Sequence, residues 1–176
     1  MSTPPILGIV GHSGVGKTTL LTALLPMFLA RGIRVAVIKH TNPDFEIDYP
    51  GKDSRKLRAA GAAQVLLATP GRWALLAESQ MPAVKSLDYW LARLPAGEQE
   101  LVLLEGFKTA PVPKLEIYRP ELGKPVLCRS DSTIKAFAST PSYLDWPRPL
   151  PCFDMTDYPK ILDWILSFTA LGAHDR

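Results

Sequence analysis

The stretch "ILGIV" at residues 6–10 runs directly into "GHSGVGKT" at residues 11–18. Five apolar residues ahead of a glycine-rich turn read as a buried parallel strand, which needs apolar side chains on both faces. The eight residues behind it match G-x-x-x-x-G-K-[ST] in full. Gly11, Gly14 and Gly16 let the backbone wrap with its N–H groups pointing inward, a concavity for anionic oxygens. The helix that follows presents its positive dipole end to the same spot. Lys17 is set to reach the β- and γ-phosphates of a nucleotide, and the Thr18 hydroxyl to ligate Mg²⁺. The candidate nucleotide site is therefore Gly11, His12, Ser13, Gly14, Val15, Gly16, Lys17, Thr18 and Thr19. The loop leaves the base open, and no Asn-Lys-x-Asp segment of the kind many guanine-specific proteins carry occurs in the chain.

Beyond the loop, Thr18 to Ala30 is predicted as a helix, with Leu20, Leu21, Leu24, Leu25 and Phe28 on one face. Pro26 is expected to kink or loosen it, and Gly32 to stop it. "IRVAVIKH" (33–40) makes a second strand and completes a right-handed βαβ unit. "TNPDFEIDYPGKDS" (41–54) lacks either period and reads as a long loop, of a length that is usually functional. Asp53 or Ser54 is placed to cap a short helix through "RKLRAA", stopped by Gly61. "AQVLLAT" and "RWALLAES" flank Pro70-Gly71 and predict a hairpin that adds antiparallel strands to the sheet.

Val84 to Leu94 reads as helical, "ELVLLEGF" (100–107) as a buried strand, and "PKLEIYRP" (113–120) as a half-exposed one. "TIKAFAST" (133–140) is a further strand. Prolines crowd residues 141–159, an extended connector ahead of a C-terminal helix in "TDYPKILDWILSF" (156–168), capped by Thr156 or Asp157. The fold class expected is α/β: a single three-layer P-loop nucleotide-binding domain over residues 1–176, its sheet largely parallel but mixed by hairpin strands.

The partner to a phosphate loop is a carboxylate at the end of a second buried strand, near the metal. Glu105, closing "LVLLE", takes that place as the catalytic and metal-associated candidate, with an ordinary strand-end residue as the alternative. In the loop after the second strand, Asp48 or Asp53 is a candidate second metal contact and His40 a candidate functional residue, against a solvated loop and a structural histidine.

A chain of 176 residues with 47% hydrophobic and 21% charged residues can bury a core. The net charge of +3 comes from scattered Lys and Arg, which argues against a nucleic-acid partner. Cys128 and Cys152 form no Cys-x-x-Cys pair and read as small buried residues, and Trp73, Trp90, Trp146 and Trp164 read as core. No apolar run approaches a membrane span or a signal segment, so a cytoplasmic protein is expected.

Taken together, "GHSGVGKTTLL", "IRVAVIKHTNPDFEIDYPGKDSRKLRAAGAAQ", "RWAL" and "LVLLEGFK" resemble the molybdopterin-guanine dinucleotide biosynthesis adaptor family, MobB, over roughly residues 6–120. The resemblance implies a GTP-binding protein with weak GTPase activity, usually dimeric. Such proteins assist the nucleotidyltransferase that joins a guanine nucleotide to molybdopterin, and molybdopterin or its carrier proteins are further possible partners. By position it implies that Gly14, Gly16, Lys17 and Thr18 hold the GTP phosphates and Mg²⁺, with Glu105 as the second acidic element. The chain departs from the family pattern at Asn42 and Pro43, where histidine is common, and at Ser139 and Thr140, where an aspartate often stands.

No arginine finger or water-orienting Gln is apparent near the loop, which fits slow turnover; Arg72 and Arg55 are the arginines that could act in trans across a dimer. The alternatives are a small-molecule kinase, with the Asp-rich segment as acceptor site, and a nucleotide-binding module without hydrolysis.

Overall fold

The computed structural model describes residues 3–41, 51–77, 86–140 and 149–174. In chain order its elements are β1 (Ile6–Val10), α1 (Lys17–Ala30), β2 (Val35–Lys39), α2 (Asp53–Ala59), β3 (Gln64–Thr69), β4 (Arg72–Ala77), α3 (Leu87–Leu91), β5 (Leu101–Glu105), β6 (Lys114–Ile117), β7 (Ile134–Ser139), β8 (Cys152–Asp154) and α4 (Tyr158–Phe168). They fall into two compact units, Thr41–Ser86 and the remainder of the chain.

The larger unit is built on a six-stranded sheet in the order β2-β5-β1-β6-β7-β8, and every neighbouring pair in it is parallel. Parallel strands need both faces covered, which explains the unbroken apolar runs of β1 and β5. Leu20, Leu21, Leu24 and Phe28 of α1 and Ile161, Leu162 and Ile165 of α4 pack with Leu7, Ile9, Leu103, Leu115 and Ile117 of the sheet. Each such side chain taken out of water contributes about 1.5–3 kcal/mol. The opposite face carries a smaller cluster in which Tyr118 and Phe137 meet Val126 and Cys128.

Several local expectations need amendment. The Pro70-Gly71 hairpin forms, but β3 and β4 make a separate two-stranded antiparallel sheet in the smaller unit instead of extending the large one. β6 is fully buried along Lys114–Ile117, not half-exposed, because it lies between β1 and β7. Its two charged side chains are matched inside: Lys114 Nζ donates to Asp131 Oδ2 at 2.8 Å and Thr133 Oγ1 at 2.6 Å. Glu116 accepts the N–H groups of Leu127 at 2.7 Å and Cys128 at 2.8 Å.

Trp73 and Trp90 are 54% and 37% exposed and so are not core, while Trp146 lies outside the described residues. Trp164 is partly buried and packs against the main core. Cys128 is buried, but Cys152 is exposed in β8 at the sheet edge. α1 runs through Pro26 as one element. The cap of α2 is Lys52, with Asp53 in the first turn paired to Lys56 instead of capping by side chain. α4 begins as expected, Asp157 accepting the Lys160 N–H at 3.2 Å. The helix expected over 84–94 is α3, limited to 87–91, and residues 84–85 lie outside the described residues. Among the described residues, no helix is long and apolar enough to cross a membrane.

Candidate functional site

The loop between β1 and α1 lies at the carboxyl edge of the sheet, where open α/β folds bind ligands. Its shape depends on backbone that only glycine tolerates. Gly11 has φ +146°, and a Cβ there would stand 2.3 Å from the Ile117 carbonyl oxygen of β6. Gly16, at the helix start, has φ +102°. Lys17 Nζ donates to the carbonyls of Gly11 at 3.2 Å and His12 at 2.9 Å, so the ammonium is folded over the loop it serves. Burial lowers the Lys17 pKa, with Lys108 and Lys39 adding repulsion and Glu105 opposing it. The loop thus gathers positive charge about itself, as a polyphosphate site requires.

Two strand ends flank this loop. β5 lies on one side of β1 and β6 on the other. Glu105 closes β5 and is 6% exposed, and it accepts the Thr18 hydroxyl at 2.7 Å (Oγ1 to Oε1). Lys39, paired with Glu105 in the parallel register of β2 and β5, brings its Nζ to 3.2 Å from Thr18 Oγ1 and 3.3 Å from Glu105 Oε1. On the β6 side, Arg119 Nε donates to the Val15 carbonyl at 3.0 Å. One of its terminal nitrogens would lie 3.6 Å from a Cβ on Gly16. His12 Nε2 donates to the Pro125 carbonyl at 2.9 Å, tying the loop to the segment after β6.

The Thr18–Glu105 pair suits Mg²⁺. Both donors are hard oxygens, and 2.7 Å is close to the separation of adjacent ligands in an octahedron with bonds of about 2.0–2.1 Å. Among the described residues, no group of three or more His, Cys, Asp or Glu could hold a metal unaided. That is the usual economy of Mg²⁺ sites, which rely on substrate phosphates and water for the remaining positions.

Of the other predicted residues, Asp48 lies outside the described residues. Asp53 sits in α2 of the smaller unit, exposed and paired with Lys56. His40 packs edge-on against Phe107, ring centroids 5.6 Å apart, with its N–H bonded to the Glu105 carbonyl at 2.9 Å. It supports the β5 end from the backbone side. Nothing local in the sequence singles out Arg119, because only the strand order brings the end of β6 beside the loop. Lys39 and Lys108 are visible in the sequence only as charges near strand ends.

A parallel sheet in this order, with a glycine-rich loop from the first strand to the first helix and a strand-end carboxylate bonded to the loop threonine, defines a P-loop protein of the α/β class. Comparison with known proteins narrows this further. The model of the family described as MobB, molybdopterin guanine dinucleotide synthesis protein B, matches residues 6–140, and the chain belongs to that family.

The chain is 42% identical over 161 residues to the molybdopterin-guanine dinucleotide biosynthesis adapter protein of Haemophilus influenzae, covering 92% of this chain and 87% of that one. It is 38% identical over 166 residues to the protein of the same description from Escherichia coli, covering 93% of each. Among solved structures, Bacillus subtilis MobB superposes with a TM-score of 0.73 at 28% identity, covering 93% of this chain and 96% of that one. These relatives are described as adapters, and they leave the small-molecule kinase alternative without support.

Proposed function

We propose that this protein is an adapter of molybdopterin-guanine dinucleotide biosynthesis that binds GTP with Mg²⁺ at the loop of residues 11–19 and hydrolyses it slowly. The observation that carries the reading is the Thr18–Glu105 contact at 2.7 Å beside Lys17, at the mouth of a glycine-built anion cradle. The guanine assignment and the pathway are supported by the adapter descriptions of the relatives.

In this reading the inward N–H groups of Ser13 to Thr19 bind phosphate oxygens. Lys17 leaves the Gly11 and His12 carbonyls to neutralise the β- and γ-phosphates. Thr18 and Glu105 hold the Mg²⁺, directly or through water, and the ion offsets charge on the phosphate oxygens when bound. Glu105 also orients water next to the γ-phosphate. Arg119 touches the loop from the β6 side, away from Glu105. It therefore shapes the cradle without facing the strand-end carboxylate, which fits slow turnover.

The partner is the molybdopterin nucleotidyltransferase of the pathway, with molybdopterin or its carriers as further partners. The protein works in the cytoplasm as a homodimer. Reconstitution tests the reading: with GTP, the chain is expected to raise the yield of guanine dinucleotide cofactor from the nucleotidyltransferase and to co-purify with it. No association and no change in yield would contradict the adapter role.

A further inference from the structure

Lys39 does not drift near the site on a loop. It is the last residue of β2, and pairing with β5 sets it opposite Glu105. Its Nζ stands 3.2 Å from Thr18 Oγ1 and 3.3 Å from Glu105 Oε1, the two oxygens whose spacing suits Mg²⁺. Thr18 gives its hydroxyl proton to Glu105, so the lone pairs of its oxygen are what Lys39 meets. A divalent ion bound by the Thr18 oxygen needs those same lone pairs, and it faces the same carboxylate oxygen, directly or through water. An ammonium and the metal cannot use them together.

We infer that Lys39 is a built-in cation of the nucleotide site. It occupies the divalent-ion position when Mg²⁺ is absent and turns to the phosphates when the metal enters. The inference rests on the reading of the loop as a GTP site. The Lys39 side chain is 51% exposed, and its four-carbon stem can pivot without disturbing the strand that anchors it. Lys17 plays a different part: its Nζ bonds the Gly11 and His12 carbonyls, not Thr18 or Glu105, and the loop motif assigns it to the β- and γ-phosphates. Two consequences follow from charge alone. Lys39 opposes Mg²⁺ entry, and it lets the site grip phosphates before metal arrives.

The test is GTP binding to the full chain by calorimetry, in EDTA and across a range of Mg²⁺ concentrations, for the wild type, Lys39→Met and Lys39→Arg. Lys39→Met is expected to weaken binding in EDTA by roughly fivefold and to lower the Mg²⁺ concentration for half-saturation by about the same factor, the scale of a partly exposed ion pair. Lys39→Arg should keep the EDTA affinity near that of the wild type. Lys39→Gln repeats the comparison should Lys39→Met lower the melting temperature. Mg²⁺ curves and EDTA affinities that coincide for wild type and the uncharged variants would overturn the inference while leaving the GTP reading intact. A wild type that fails to bind GTP in saturating Mg²⁺ would overturn the GTP reading, and the inference with it.

Discussion

Gly11 shows how a single position constrains the site. Its φ of +146° is costly for any residue with a side chain, and the Ile117 carbonyl oxygen, 2.3 Å from where a Cβ would stand, blocks the space as well. Gly11→Ala should therefore destabilise the protein by about 3 kcal/mol and abolish nucleotide binding, read by thermal melting and a binding titration. A variant with wild-type stability and affinity would contradict this geometry. Arg119 gives a milder prediction. Losing its bond to the Val15 carbonyl should cost about 1 kcal/mol, a roughly fivefold weaker nucleotide affinity, with Tm nearly unchanged because the residue is exposed. The places of Gly11, Lys17 and Thr18 in the loop between β1 and α1 are legible in the sequence because the motif is local. That of Arg119 is not: 104 residues separate it from Val15, and nothing in "YRP" announces the neighbour.

Among the elements, β6 is the most instructive. Its alternation of Leu115 and Ile117 with charged Lys114 and Glu116 reads as one wet face, because lysine and glutamate are rarely buried unpaired. The strand is nevertheless central, and the segment from 126 to 133 supplies the partners that make this tolerable. Burial raises the Glu116 pKa despite the two backbone N–H groups it accepts. For Asp131, burial pushes the carboxyl pKa up, but hydrogen bonds from Lys114 and Thr133 outweigh it and hold the carboxyl below its ordinary value.

A depressed carboxyl stabilises the fold above its unfolded pKa and loses that contribution as pH falls through its folded value. Asp131→Ala should therefore lower stability by about 2 kcal/mol at neutral pH, by stranding the Lys114 ammonium, with the deficit shrinking below about pH 4. Urea melts at pH 7 and pH 3 check both parts, and an equal deficit at the two values would refute the assignment. By contrast, β1, α1 and β5 lie within two residues of their predicted spans, since their apolar patterns serve one plain purpose each.

At the scale of the whole molecule, the αβ alternation announces the class, and the strand order places the loop between Glu105 and Arg119. The hairpin is legible as a hairpin but not as a separate sheet, because pairing between sheets is decided by distant strands and not by the turn. Its exposed Leu66, Leu67, Trp73 and Leu75 are what a core assignment from composition alone misjudges. The proposed homodimer belongs to this scale too: light scattering is expected to give about twice the 19.3 kDa of one chain, and a monomer at micromolar concentration would contradict it.

The central claim is that Lys17 and its glycine cradle hold the phosphates of GTP. Calorimetric titration in saturating Mg²⁺ tests it most directly. GTP should bind more tightly than ATP, and Lys17→Ala should abolish GTP binding while leaving the melting temperature within a few degrees of the wild type. Tighter binding of ATP, or GTP affinity unchanged by Lys17→Ala, would contradict it.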